Sequence, residues 1–217
     1  MKITKYPQSC LLAESRGNKL LFDPGVLEYE ERFLEEWQGC DAVFITHKHA
    51  DHCHAEVIAE FDPSVKIYTT AEVIQAHSAL SRAERIAEGD EVTVGCFTVT
   101  AVKAVHGYHP RMRGNEVREN VGFLVSDAER TLYITSDTIC FPTDIRADAI
   151  AMPVTGHGVT MTAFEASLFA EETGAEHILL THMDNPAFET DFAYIDKHFD
   201  NAGLTYTVLA AGGAMEI

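Results

Sequence analysis

Residues 46–52 read THKHADH, and they constrain this chain more than any other stretch. They follow directly on the apolar run 42–46 (AVFIT), which has the length and composition of a strand buried on both faces. In extended chain, residues two apart point the same way, so His47 and His49 can pinch one cation. Asp51 and His52 are adjacent, must diverge, and so can face a second cation. Neutral imidazole and carboxylate are ligands for Zn²⁺ first, with Mn²⁺ or Fe²⁺ as alternatives. A fixed pattern of three His and one Asp arises by chance in about two in a thousand sequences of this composition.

No repeat, low-complexity stretch or Pro/Gly/Ser linker divides the 217 residues, so the chain reads as a single domain, 1–217. A chain of this length buries roughly 70% of its unfolded surface, enough for a core without disulfides. Residues 9–14 and 19–22 predict a hairpin that turns at Arg16-Gly17-Asn18, and Asp23-Pro24-Gly25 stops its second strand. Helices are expected at 28–37, 55–61 and 71–77, with a strand at 65–68. Strands at 91–94 and 97–102 join through Gly95, and 121–126 with 131–135 form a second hairpin. A buried strand at 149–154 precedes a helix that Thr162 and Glu165 cap and Gly174 ends. Strand 177–181, helix 188–199 and a last strand 204–209 complete the pattern. So many apolar strands are best buried as two packed sheets flanked by helices, an α/β arrangement.

Polar clusters recur where these strands end, which is where a rigid scaffold usually presents chemistry. A two-metal site needs more ligands than the motif holds, and the candidates are few. His106 closes the run 102–105, Asp137 follows strand 131–135, and His182 follows 177–181. With His47, His49, Asp51 and His52 they make seven. His109 rivals His106, but His106 directly ends its strand.

THKHADH at 46–52, His106, SDT at 136–138 and THMDN at 181–185 resemble, in order and spacing, the metallo-β-lactamase-fold hydrolase superfamily. The opening SCLLAESRGNKLLFDPG at 9–25 is similar to that superfamily's first hairpin and its Asp-Pro-Gly. The compact size and PVTGHGVTM at 153–161 look like the small branch that includes ascorbate-6-phosphate lactonase. The resemblance implies a four-layer αββα sandwich with two mixed β-sheets and a dinuclear metal site at one edge. It also implies roles: His47, His49 and His106 on one metal, Asp51, His52 and His182 on the other, and Asp137 bridging. Cys53 and His54 depart from the small residues that usually follow the motif, which bears on the substrate mouth. The implied reaction is hydrolysis of a small ester, lactone or phosphoester by a hydroxide activated between the metals, with Asp51 orienting it and moving a proton.

Thirty-four acids against 16 bases give a formal charge of −18, the wrong sign for a nucleic-acid track or an anionic membrane. That weakens the reading as a nucleic-acid phosphodiesterase, which, with a non-catalytic metal-binding or sensing module, is an alternative to a small-molecule hydrolase. His157, between two glycines, can serve catalysis as a substrate or oxyanion contact; an exposed loop histidine is the other reading. Arg111, Arg113 and Arg118 crowd one loop, where Arg111 and Arg113 can grip an anionic substrate, or else pair with Glu116 and Glu119. Five scattered cysteines without CxxC, no apolar signal region and no apolar run of ~18 residues suit a reduced cytoplasmic protein that makes no membrane contact. A homo-oligomer, most often a dimer, is compatible with such an enzyme.

Overall fold

The computed structural model describes residues 1–217, apart from the side chain of Met112. The strands are β1 (Lys2–Lys5), β2 (Leu11–Ser15), β3 (Asn18–Phe22), β4 (Ala42–Ile45), β5 (Lys66–Thr69), β6 (Glu84–Arg85), β7 (Glu91–Val94), β8 (Phe97–Lys103), β9 (Val121–Ser126), β10 (Thr131–Ile134), β11 (Ala149–Pro153), β12 (His177–Thr181) and β13 (Ala214–Glu216). The helices are α1 (Glu31–Trp37), α2 (Ala55–Ala59), α3 (Ala71–Ala76), α4 (Ala163–Thr173) and α5 (Phe192–Ala202). One sheet runs β13-β1-β2-β3-β4-β5-β6 and the other β12-β11-β10-β9-β8-β7. Each is mixed. β1, β2 and β3 pair antiparallel before β3, β4 and β5 pair parallel. Likewise β8, β9 and β10 pair antiparallel before β10, β11 and β12 pair parallel.

Strand periodicity explains the layers. Along β4, Ala42 and Phe44 enter the core between the sheets, while Val43 and Ile45 face Phe33, Trp37 and Ile58 of α1 and α2. Along β11, Ala149 and Ala151 point inward, while Ile150 and Met152 meet Phe169 of α4 and Phe199 of α5. A strand covered on both faces must be apolar at every position, which is why 42–45 is continuous rather than alternating. The result is the α/β four-layer αββα sandwich. Phe44 locks its centre, with Phe22 at 5.2 Å in its own sheet and Phe123 at 5.3 Å in the other. Burying one such ring contributes roughly 1.5–3 kcal/mol. The Thr162–Glu165 capping box starts α4, and Gly174 at φ 65° ends it.

Three expectations move. Segment 204–209 is not a strand: Thr207 alone bridges Leu179, and Gly212 and Gly213 then lead the chain to the opposite sheet. There β13 pairs with β1, a strand the sequence reading omitted. Which of two sheet edges accepts a terminal segment is a tertiary choice. The helix expected from 28 begins at Glu31, because Glu28 adopts φ 51°. The helix expected from 188 begins at Phe192, where the Asp191 side chain accepts the Tyr194 N–H at 2.9 Å. No helix among the described residues is long and apolar enough to cross a membrane.

Candidate metal centre

The site forms where parallel strands end together, since loops leaving their carboxyl ends converge on one edge. Asp23 follows β3 and sits beside Thr46, which follows β4. Its carboxylate accepts the Thr46 backbone N–H and hydroxyl, each at 2.8 Å, and His52 Nδ1–H at 2.8 Å. The Thr46 proton is thereby committed, so its oxygen accepts Nδ1–H of His47 at 3.0 Å. His106 donates from Nδ1 to the Gly107 carbonyl at 2.8 Å, and His49 from Nε2 to the Asn115 carbonyl at 3.0 Å. Each imidazole thus has one nitrogen tied down as a donor. The nitrogen left over is Nε2 of His47, His52 and His106, and Nδ1 of His49.

Those nitrogens converge in two groups. Donor atoms of His47, His49 and His106 lie within 4.8 Å of one another, as do those of Asp51, His52, Asp137 and His182. The seven residues read from the sequence therefore come together. In the second group, Asp137 stands 3.2 Å from His52 Nε2 and 3.1 Å from His182 Nε2, and Asp51 stands 3.3 Å from His182 Nε2. Nε2 of His47, His52, His106 and His182 and Oδ1 of Asp137 are nevertheless buried without a hydrogen-bond partner. Buried polar atoms are almost always partnered, so a cluster of unpartnered imidazole nitrogens and a carboxylate oxygen fits a cation, which would displace any proton they carry.

Electrostatics separates the groups. Burial, then neighbouring His52, holds His47 well below the ordinary histidine range, and burial lowers His106 too, so both stay neutral. Burial alone would raise Asp137, but His182 and His52 pull it well below the carboxylate range. His182 is pushed up to about 9: burial lowers it, but Asp137 and Asp51 outweigh that.

The backbone around the site is held in costly conformations. Gln8, Asp23, Ser136 and His182 all have positive φ, between 46° and 63°, at a cost of about 1 kcal/mol or more each. Gln8 offsets this with contacts that span the chain. Its backbone N–H reaches Asp184 at 2.8 Å, its carbonyl accepts the His182 N–H at 3.1 Å, and its amide donates to Asp51 at 3.3 Å. Buried Lys5 closes the network on Asp184 at 2.6 Å. Gly25 lies under the motif loop so closely that a Cβ there would stand 1.9 Å from the Asp51 carbonyl oxygen.

A cavity of about 950 Å³ opens over Asp51, Asp137 and His182. His109 and Arg111 line it, whereas Arg113 is not among its lining residues. No ion pair joins Arg111, Arg113 or Arg118 to Glu116 or Glu119 among the described residues; Glu116 instead accepts the Gly114 N–H. His157 also lines the cavity. Thr155 gives its single hydroxyl proton to the His182 carbonyl at 3.1 Å, so it accepts Nδ1–H of His157 at 2.6 Å. This leaves His157 Nε2 bare and buried. Burial and then His182 push its pKa down to about 4, so the ring is neutral near pH 7. Cys53 is buried beside the motif, and His54, His77, His177 and His198 lie at helix or strand positions outside both groups. Asp23, Gln8 and Thr155 escaped the sequence reading. Asp23 registered only as a turn residue, and Gln8 carried no signal at all.

These features match known proteins. The Beta-lactamase superfamily domain matches residues 18–183. Protein Rv0786c of Mycobacterium tuberculosis is 31% identical over 159 residues, covering 70% of this chain and 71% of that protein. A UPF0173 metal-dependent hydrolase of Opitutus terrae is 24% identical over 217 residues, covering 93% of this chain and 86% of that one. Among solved structures, Igni18, a metallo hydrolase of Ignicoccus hospitalis KIN4/I, superposes with a TM-score of 0.79 at 19% identity. That match covers 100% of this chain and 98% of Igni18, and at such identity it concerns the fold.

Proposed function

Since this chain belongs to the beta-lactamase superfamily, we propose that it is a metal-dependent hydrolase acting on a small ester, lactone or phosphoester. The observation that carries the reading is the convergence of bare, buried donor atoms where the strands end. His47, His49 and His106 would hold one divalent cation, and Asp51, His52 and His182 a second, with Asp137 shared. The sharing is supported by the groups being neighbours, with His47 and His52 ring centroids 4.2 Å apart. When bound, such cations supply Lewis acidity, lowering the pKa of water towards neutrality and polarising the oxygen of the bond to be cleaved. Zn²⁺ suits the imidazole-rich set best, and Mn²⁺ or Fe²⁺ would also fit.

The chain's own residues do the rest. Asp51 has 26% of its side chain exposed at the cavity floor, so it can take a proton from the nucleophile and deliver it to the leaving group. Neutral His157 offers Nε2 as an acceptor to a substrate hydroxyl or amide. Arg111 at the wall, and Arg113 if its loop closes inward, would attract a carboxylate or phosphate. A small molecule is the substrate best matched to a cavity of this size and to a surface of charge −18. Five free cysteines suit a reduced, cytoplasmic setting.

Chelation tests the reading. Protein stripped of metal and assayed on phenyl esters, simple lactones and bis-p-nitrophenyl phosphate should lose activity by about a thousandfold, the several kcal/mol expected of metal catalysis. Added Zn²⁺ or Mn²⁺ should restore it. Stripped protein as active as loaded protein on the same substrates would overturn the proposal.

A further inference from the structure

Two chemically different flanks border the cavity, and the sheet order separates them. In β12-β11-β10-β9-β8, the loops after β11 and β12 are neighbours, whereas the loop after β8 lies two strands beyond β10. The neighbouring pair brings His157 and Phe188 to the cavity; the distant loop brings His109 and Arg111.

Phe188 belongs to a four-residue turn, Asn185-Pro186-Ala187-Phe188, that fixes where its side chain leaves the backbone. Its N–H donates to the Asn185 carbonyl at 3.0 Å, and the Asn185 side chain accepts the Ala187 N–H at 3.0 Å. Pro at the second position of such a turn presets φ, and Asn at the first closes it. The Phe188 ring lies on His157, with centroids 4.7 Å apart and planes 7° from parallel. His157 in turn lies on His182 at 4.3 Å and 25°, and Thr155 pins it from the edge. The outcome is a column of three rings rising from the centre to the mouth. Phe188 caps it with 51% of its surface exposed, a large apolar group fixed in place and left uncovered by the protein.

We propose that this ring column is a stacking shelf, and that the substrate carries a planar, unsaturated group, an aryl group above all, beside the scissile bond. Aromatic rings favour offset, near-parallel partners at this spacing, and a rigid shelf loses little freedom on binding. An acidic or phosphorylated remainder of the molecule would then extend toward Arg111. The inference rests on the hydrolase reading above for the bond cleaved, but not for the binding.

The test uses the metal-loaded protein and its Phe188→Leu and Phe188→Tyr variants. Comparing variant with parent on each substrate cancels the substrates' intrinsic reactivities. Phe188→Leu should lower kcat/KM for phenyl acetate about tenfold, mainly through KM, yet change cyclohexyl acetate less than about twofold, and Phe188→Tyr should restore the difference. Binding is measured separately, by titration with benzoate and cyclohexanecarboxylate. Tighter benzoate binding that Phe188→Leu abolishes supports the shelf even if no ester is cleaved, in which case only the hydrolase reading fails. Equal effects of Phe188→Leu on both esters, together with equal affinity for both carboxylates, would overturn the shelf.

Discussion

The two donor groups lie side by side, but they are built by different means. The first is three imidazoles, two from the motif and one from the loop after β8, with His49 and His106 only half-buried. Its outer support is a Thr46 hydroxyl and two loop carbonyls. The second mixes two carboxylates with two imidazoles drawn from positions as far apart as Asp51 and His182, and His52, Asp137 and His182 are buried. Its outer support is Asp23 and Gln8, and it is flanked by left-handed backbone at Ser136 and His182. The first group is the more open. Both groups need the two sheets docked, because β4 and β8 lie in opposite sheets, but the second is the more deeply buried, so occupying it should add more to folding stability. Divalent charge should also be held more tightly by two carboxylates than by neutral rings.

The sharpest way to break this contrast is to remove one ligand from each group. Asp137→Ala should leave at most one metal per chain and lower kcat/KM by about a thousandfold or more, with a fall in melting temperature. His49→Ala should empty only the open group, costing about a hundredfold and leaving the melting temperature near that of the parent. Metal analysis, kinetics and thermal melts on the pair decide the matter; equal losses on all three would erase the asymmetry.

Asp23 is the intermediate case, because it supports both groups through Thr46 and His52. Asp23→Ala should weaken both metals about 10–100-fold in a competition titration with a coloured chelator. It also strands buried Thr46 and His52 donors, each at about 1–3 kcal/mol, so the melting temperature should drop by several degrees. Weakening of one metal alone would show that Asp23 serves a single group. Gln8→Ala is the smallest. It removes the amide's donation to Asp51 and its acceptance of the Asp184 N–H at 3.0 Å, so the buried metal should weaken only several-fold while the open one is unchanged, in the same titration.

Much of this centre was legible before any fold was known. The THKHADH stretch was legible from its residue types and spacing, although it folds as bends and a turn rather than as extended chain, the His52 N–H donating to the His49 carbonyl at 3.0 Å. His106, Asp137 and His182 were legible for a related reason: each follows an apolar run that could only be a buried strand. Asp23 was half visible, marked by Pro24 and Gly25 as a chain reversal but not as the carboxylate that orients His52. Gln8 was invisible, because its partners are Asp184, His182 and Asp51, and nothing near it in sequence hints at them. From sequence Phe188 reads as helical, since an aromatic residue before 192–202 extends the apolar pattern equally well in one more turn. The segment 204–209 reads as a strand for the converse reason. It has strand composition, but the free edge that accepts a terminal strand belongs to the other sheet.

Sequence alone determined the candidate donor residues, their local spacing, the apolar strands and the Thr162 cap, all of which depend on interactions within a few residues. Tertiary structure decided which strands became neighbours, and that choice brought Asp23 under His52, Gln8 against Asp51, and the Phe188 turn over His157. The physical reason is range. Backbone geometry correlates side chains only over a turn or two, whereas the pairing of sheets is settled by burial of the whole apolar surface at once.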